Sequence, residues 1–173
     1  MKTLFYTGPS LEVLHEQYAK HGRIDPEATV HAAAEVVVHS PADVVWQVLT
    51  DPDCWQQSDP AIREVRFTCG VRPDAPFHWR NGRTRVVSRF AVVRPHEELT
   101  WTGVAAGARA VHRHVLTGTA VGVTRLRTEE SMAGPLLTLF YSSAKLETVL
   151  TRWVDGIRSL AEQRAADERA RPH

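Results

Sequence analysis

Ser40-Pro41-Ala42-Asp43-Val44-Val45-Trp46-Gln47-Val48-Leu49-Thr50-Asp51-Pro52 decides how the rest of the chain is read. Ser40 is a helix cap, and Pro41 occupies the first helical position, where a missing N–H costs nothing. Residues 42–50 then read as a short helix that Asp51-Pro52 ends. Just before it, residues 30–39 read as a strand, with Val36 and Val38 on one face and His31, Glu35 and His39 on the other. A second helical turn is expected near residues 60–63. A strand feeding two small helices, with only strands beyond them, sets up one sheet rather than alternating α/β units.

Downstream, strands are expected over residues 64–69, 77–80, 83–93, 98–105, 108–117 and 121–132. Asn81-Gly82 is a strong signal for a two-residue hairpin loop. Centred there, it pairs Arg80 with Arg83, Trp79 with Thr84 and Phe77 with Val86. Phe77, Trp79, Val86, Ser88 and Phe90 then share one face, and His78, Arg80, Arg83, Arg85 and Arg89 the other. The clean separation of charge supports the faces assigned. From residue 136 to about 165, Leu139, Leu146, Leu150, Trp153, Ile157 and Leu160 recur at helical spacing. That helix would span roughly 45 Å, enough to lie across a whole sheet.

Upstream, Ser10 caps a helix over residues 10–21 with Leu11, Val13, Leu14 and Tyr18 as its apolar stripe, and Asp25-Pro26 breaks the chain. The fold class is therefore α+β: a strongly curved antiparallel sheet of about seven strands wrapped around a long C-terminal helix. The division expected is an N-terminal helical extension (residues 1–29), one main domain (30–165) and a charged tail (166–173).

A net charge of +1 offers no field to recruit nucleic acid, and no aromatic-plus-basic motif is present. No apolar run approaches the roughly 18–20 residues of a membrane span. Met1-Lys2-Thr3-Leu4-Phe5-Tyr6 meets Gly8-Pro9 too soon for a secretory apolar core. Cys54 and Cys69 match no metal-ligand spacing and read as reduced thiols, so the expected location is cytoplasmic.

Chemistry concentrates at His112 and His114. Two residues apart on a strand, they share a face. Arg109, Val111, Arg113 and Val115 take the opposite side, so the histidines point inward. If the last hairpin turns near Thr119-Ala120, Thr128 sits opposite His112 and Glu130 lies diagonally, within reach of the ring. A buried Glu beside a His would hold one tautomer and raise the basicity of the imidazole, making it a candidate general base. The structural alternative is that these groups merely satisfy one another inside the protein. A His-x-His strand with a neighbouring carboxylate also occurs in cupin-type metal sites. Thr117-Gly118-Thr119 stands where the further carboxylate would follow, so no metal is expected.

The order of elements resembles the START-like superfamily, also called SRPBCC, and within it the polyketide cyclase/dehydrase-like group. The resemblance covers about residues 30–162. It rests on the stretch from Ser40 to Pro52, on Trp55 and Asp59-Pro60, on residues 97–102, and on Thr128-Glu129-Glu130-Ser131-Met132-Ala133-Gly134. It implies the helix-grip fold and a cavity between sheet and long helix that takes a hydrophobic, cyclic or polyketide-like small molecule. Phe77, Trp79, Ser88, Phe90, Trp101, Leu126, Thr128 and Tyr141 are the expected ligand contacts, with Trp79 and Trp101 as stacking surfaces. His112, His114 and Glu130 are the candidate catalytic groups for a cyclisation or dehydration that needs no cofactor. The same cavity would equally serve a non-catalytic carrier or sensor. A chaperone-activator-like module would instead show a shrunken cavity. A homodimer is left open.

Overall fold

In the computed structural model, which describes residues 7–171, seven antiparallel strands form one sheet in the order β1-β7-β6-β5-β4-β3-β2. The opening of the N-terminal extension (residues 1–6) and the last two residues of the tail lie outside the described residues. The strands are β1 (Val30–Val38), β2 (Ile62–Arg66), β3 (Pro76–Asn81), β4 (Thr84–Arg94), β5 (Glu98–Ala105), β6 (Ala108–Ala120) and β7 (Val123–Ala133). β1 and β2 are the two edges, so the sheet is curved but not closed. Helix α5 (Ser143–Ala170) grips its inner face, where Trp153, Val154 and Ile157 meet Val38, Leu99 and Leu126 in one core. At 28 residues the helix is about 42 Å long. This is the helix-grip architecture.

Helix α2 (Ala42–Thr50) spans the expected residues and buries Val44, Val45, Val48 and Leu49, but Pro41 rather than Ser40 is its N-cap residue and the buried Ser40 hydroxyl makes no capping bond. Asp51-Pro52 does not end the helical region but restarts it. The Asp51 side chain accepts from Asp53 N–H, Pro52 takes the first position, and helix α3 runs over Pro52–Ser58. The second small helix therefore precedes residues 60–63, and the next strand begins at Ile62, earlier than expected.

Both inferred hairpins keep their faces and slip by two residues. Gly82 and Arg83 form the first loop, with Gly82 at φ 57°, so Asn81 pairs with Thr84, Trp79 with Val86 and Phe77 with Ser88. A slip of two preserves every inward side chain, whereas a slip of one would reverse them all. In the last hairpin Ala120 pairs with Val123, and a bulge between Gly118 and Ala120 sets the register beyond. The long helix is also interrupted. Helix α4 (Leu137–Phe140) is separate from α5, which Ser142 caps by accepting from Lys145 N–H.

The N-terminal segment begins at the Ser10 cap with α1 (Leu11–Val13) and continues through a π turn (Leu14–Tyr18) and a 3-10 turn (Ala19–His21). Leu14 and Ala19 pack against Ala91 and Val111 on the outer face of the sheet. His15 is wholly buried there, held between Thr102 Oγ1 and Asp74 Oδ1 at 2.9 Å each. The outer arginines are accordingly not a simple solvated face. Arg89 pairs with Glu12, Arg109 donates to Pro9 O, and Arg113 bridges buried Glu98 and Glu129. Among the described residues, no helix is long and apolar enough to cross a membrane.

Candidate functional site

Strands β5, β6 and β7 lay Trp101, His112 and Glu130 side by side on the inner face: Trp101 pairs with His112, and His112 with Glu130. Glu130 is therefore directly opposite His112 rather than diagonal to it, and Thr128 stands opposite His114. Glu130 Oε1 lies 3.1 Å from His112 Nε2, with the His112 side chain 14% exposed and that of Glu130 6%. No guanidinium or ammonium is paired with either among the described residues. Burial thus acts unopposed. It pushes the His112 imidazole down to about 3 and the Glu130 carboxyl up to about 8. Burial thus favours the uncharged form of each group. The expected rise in His112 basicity is reversed, because loss of water outweighs the neighbouring acid when that acid is itself neutral.

His114 has a different task. Trp153 Nε1 on α5 donates to its Nε2 at 3.0 Å, which places the ring proton on Nδ1 and ties the sheet to the helix. Burial and the neighbouring His112 push this imidazole down to about 3 as well. Its basic nitrogen is spent. The sequence grouped His114 with His112 and Glu130; it lines the same cavity, with its Nε2 already occupied by the Trp153 indole.

Between the sheet and α5 lies a cavity of about 770 Å³. Its inner end carries Trp79, Trp101, His112, His114, Thr128 and Glu130, while Leu146, Val149 and Leu150 of α5 roof it. Pro135, Leu136, Leu137, Phe140 and Tyr141, from the end of β7 through α4, also line it. Leu136 and Phe140 are 40% and 74% exposed, so this part of the wall is an apolar rim open to solvent. Burial, and then the nearby Glu130, hold the Tyr141 phenol above its ordinary range. Trp101 Nε1 and Thr128 Oγ1 are buried without a hydrogen-bond partner, leaving unspent polar capacity beside the His112–Glu130 pair.

Of the expected ligand contacts, Trp79, Trp101, Thr128 and Tyr141 line the cavity. Phe77, Phe90, Leu126 and Ser88 do not. Phe77 stacks on Phe90 with centroids 4.3 Å apart, and Leu126 is fully buried in the core. Ser88 Oγ accepts from Trp79 Nε1 at 3.2 Å, fixing that indole. Strand alternation tells which side a residue faces but not how deep along the strand the core ends and the cavity begins. Trp101 already stacks within the protein. Trp55 covers one region of it at 5.1 Å, and the His112 and His114 rings lie nearly parallel to it at 5.1 and 4.6 Å. The sequence reading missed Trp55 and Trp153 as cavity residues, along with Lys145 and Arg152. Lys145 and Arg152 are seven apart on α5, a spacing that would have placed them on one face.

A curved sheet, a gripping helix and an apolar cavity with polar groups at its inner end define a helix-grip, hydrophobic-ligand-binding class of protein. The chain belongs to the polyketide cyclase / dehydrase and lipid transport family, whose model matches residues 29–163. Among solved structures it is similar to a hypothetical protein of Helicobacter pylori, at 18% identity and TM-score 0.67 over 79% of this chain and 90% of that one. A START superfamily protein of Mycobacterium smegmatis is similar at 10% identity and TM-score 0.60, over 80% and 98%. DynU16, a protein of the dynemicin biosynthetic locus, is similar at 20% identity and TM-score 0.62, over 78% of this chain and 48% of that one. These likenesses establish the fold. No curated protein matches the chain.

Proposed function

We propose that the protein binds a hydrophobic, cyclic or polyketide-like small molecule between sheet and α5, and that Glu130 and His112 catalyse its cyclisation or dehydration without a cofactor. The observation that carries this reading is the buried Glu130–His112 contact on the cavity wall. Such a pair holds one transferable proton, on Glu130. In dehydration of a β-hydroxy ketone, the carboxylic acid protonates the departing hydroxyl, and the carboxylate so formed takes the α-proton. A C–H and a C–O bond break, a C=C bond forms, water leaves, and Glu130 is again the acid. His112, whose basicity burial lowers, holds the carboxyl in place across the 3.1 Å contact. His114 is a positioning residue in this scheme, and Trp101 holds both rings from behind.

A cavity of about 770 Å³ is larger than the chaperone-activator alternative requires. The carrier alternative keeps the cavity and discards the chemistry, and the two separate by mutation. With a model aryl β-hydroxy ketone as substrate, Glu130→Gln and His112→Ala should each lower turnover about 100-fold or more. Affinity for an unreactive apolar analogue should change less than about 3-fold. Wild-type turnover no faster than either variant, with binding intact, leaves a carrier.

A further inference from the structure

The two cations at the cavity have no role in the chemistry above. Lys145 and Arg152 both line the cavity, two helical turns apart on α5, which separates them by about 10 Å along the axis. Lys145 makes no ion pair among the described residues, and its ammonium lies 5.1 Å from the centre of the Tyr141 ring. Arg152 is half exposed. Its Nε donates to Asp59 Oδ2 at 2.9 Å, and among the described residues its two terminal nitrogens make no hydrogen bond. Asp59 is buried and already committed, since its other oxygen accepts from Ala61 N–H at 2.8 Å.

The charges at the cavity wall are therefore unevenly spent. Asp59 is taken up by Arg152 Nε and Ala61 N–H, and the other carboxyl, Glu130, faces His112 at 3.1 Å. Lys145 and the terminal nitrogens of Arg152 stay available on solvent-reachable side chains of α5. Leu136 and Phe140 make the nearby wall apolar. Low-dielectric walls beside an unneutralised cation strengthen its field on anything that enters.

We infer that the ligand is an anionic amphiphile, with an apolar ring system inside the cavity and a carboxylate, sulfonate or phosphate held between Lys145 and Arg152. This rests on the cavity reading above and narrows the class of molecule it admits. The charged group remains at the rim and the reactive carbonyl end reaches Glu130 and His112, so one orientation is selected. A neutral ligand of the same shape loses both the field and that orientation.

Two naphthalene dyes with the same aromatic body test it: anionic 8-anilinonaphthalene-1-sulfonate and neutral N-phenyl-1-naphthylamine. Each is titrated by fluorescence into the wild-type protein, Lys145→Met and Lys145→Arg. The expected result is an affinity for the sulfonate about 5-fold weaker in Lys145→Met and restored in Lys145→Arg, with the neutral dye changed less than about 2-fold. If the sulfonate is unaffected while the neutral dye binds all three proteins, the anion inference fails and the cavity reading stands. Equal weakening of both dyes also overturns it, since Lys145 would then act through packing. If neither dye binds the wild type, the cavity reading itself is overturned.

Discussion

Glu130, His112 and His114 carry opposed pH dependences. The histidines are held neutral in the fold, at about 3, but would take up protons in the unfolded chain below 6.5. Stability therefore falls as pH drops below 6.5. Glu130 works the other way. Its folded value is raised from 4.5 to about 8, so its stabilising share is whole below 4.5 and is lost as pH rises through about 8. The two trends place maximum stability near pH 6.5. Glu130→Gln removes the alkaline limb and steepens the acid one between pH 4.5 and 6.5. Urea unfolding of the wild type should lose up to about 1 kcal/mol per pH unit between about pH 6.5 and 8, while the variant stays flat there. Equal slopes in both proteins would show that Glu130 is ionised in the fold, which removes the general acid from the proposed chemistry.

Small helices and their contacts set where the site opens. Gly156 on α5 passes so close to the end of α3 that a Cβ would stand 2.5 Å from Ser58 O and 2.8 Å from Ser58 Cβ. In an exposed helix interior Gly→Ala gains up to about 1 kcal/mol of propensity. Here the backbone clash should prevail, and Gly156→Ala should lower the melting temperature by the equivalent of about 1–3 kcal/mol. A higher melting temperature would mean that α3 and α5 do not approach so closely, and the setting of Asp59 against Arg152 would go with it. The same scale shows why some elements were legible and others not. β5 was read to the residue because alternation and turns bound it on both sides. The hairpins kept their faces but not their loops, since Gly82 takes its left-handed turn one position earlier in the loop than Asn81-Gly82 implied. Asp51-Pro52 carries the signature of both a stop and a start. Only packing of Trp55 beneath α2, with its Nε1 bonded to Leu49 O, decides for a new helix. The inward set of His112, His114, Thr128 and Glu130 was legible from period two alone. Separating Phe77 and Phe90 from Trp79 and Tyr141 required the depth of the core, which no local pattern encodes.

At the scale of the molecule, the sheet is divided between two duties. Its outer face is sealed by the N-terminal segment through Leu14, His15 and Ala19. Its inner face is core at one end and open cavity at the other. A protein that only needed a core would fill a space of about 770 Å³, because empty apolar volume costs stability with nothing in return. The claim on which the rest depends is that this space receives an apolar guest. Val149 lines it from α5 and is half-buried, so Val149→Trp narrows the space while leaving Glu130 and His112 unsubstituted. The deciding measurement is a fluorescence titration of N-phenyl-1-naphthylamine into wild type and Val149→Trp, with melting curves to verify that both are folded. Saturable, one-to-one binding by the wild type and at least about a 10-fold loss in Val149→Trp are expected. Equal binding by two folded proteins would place the dye elsewhere and contradict the claim.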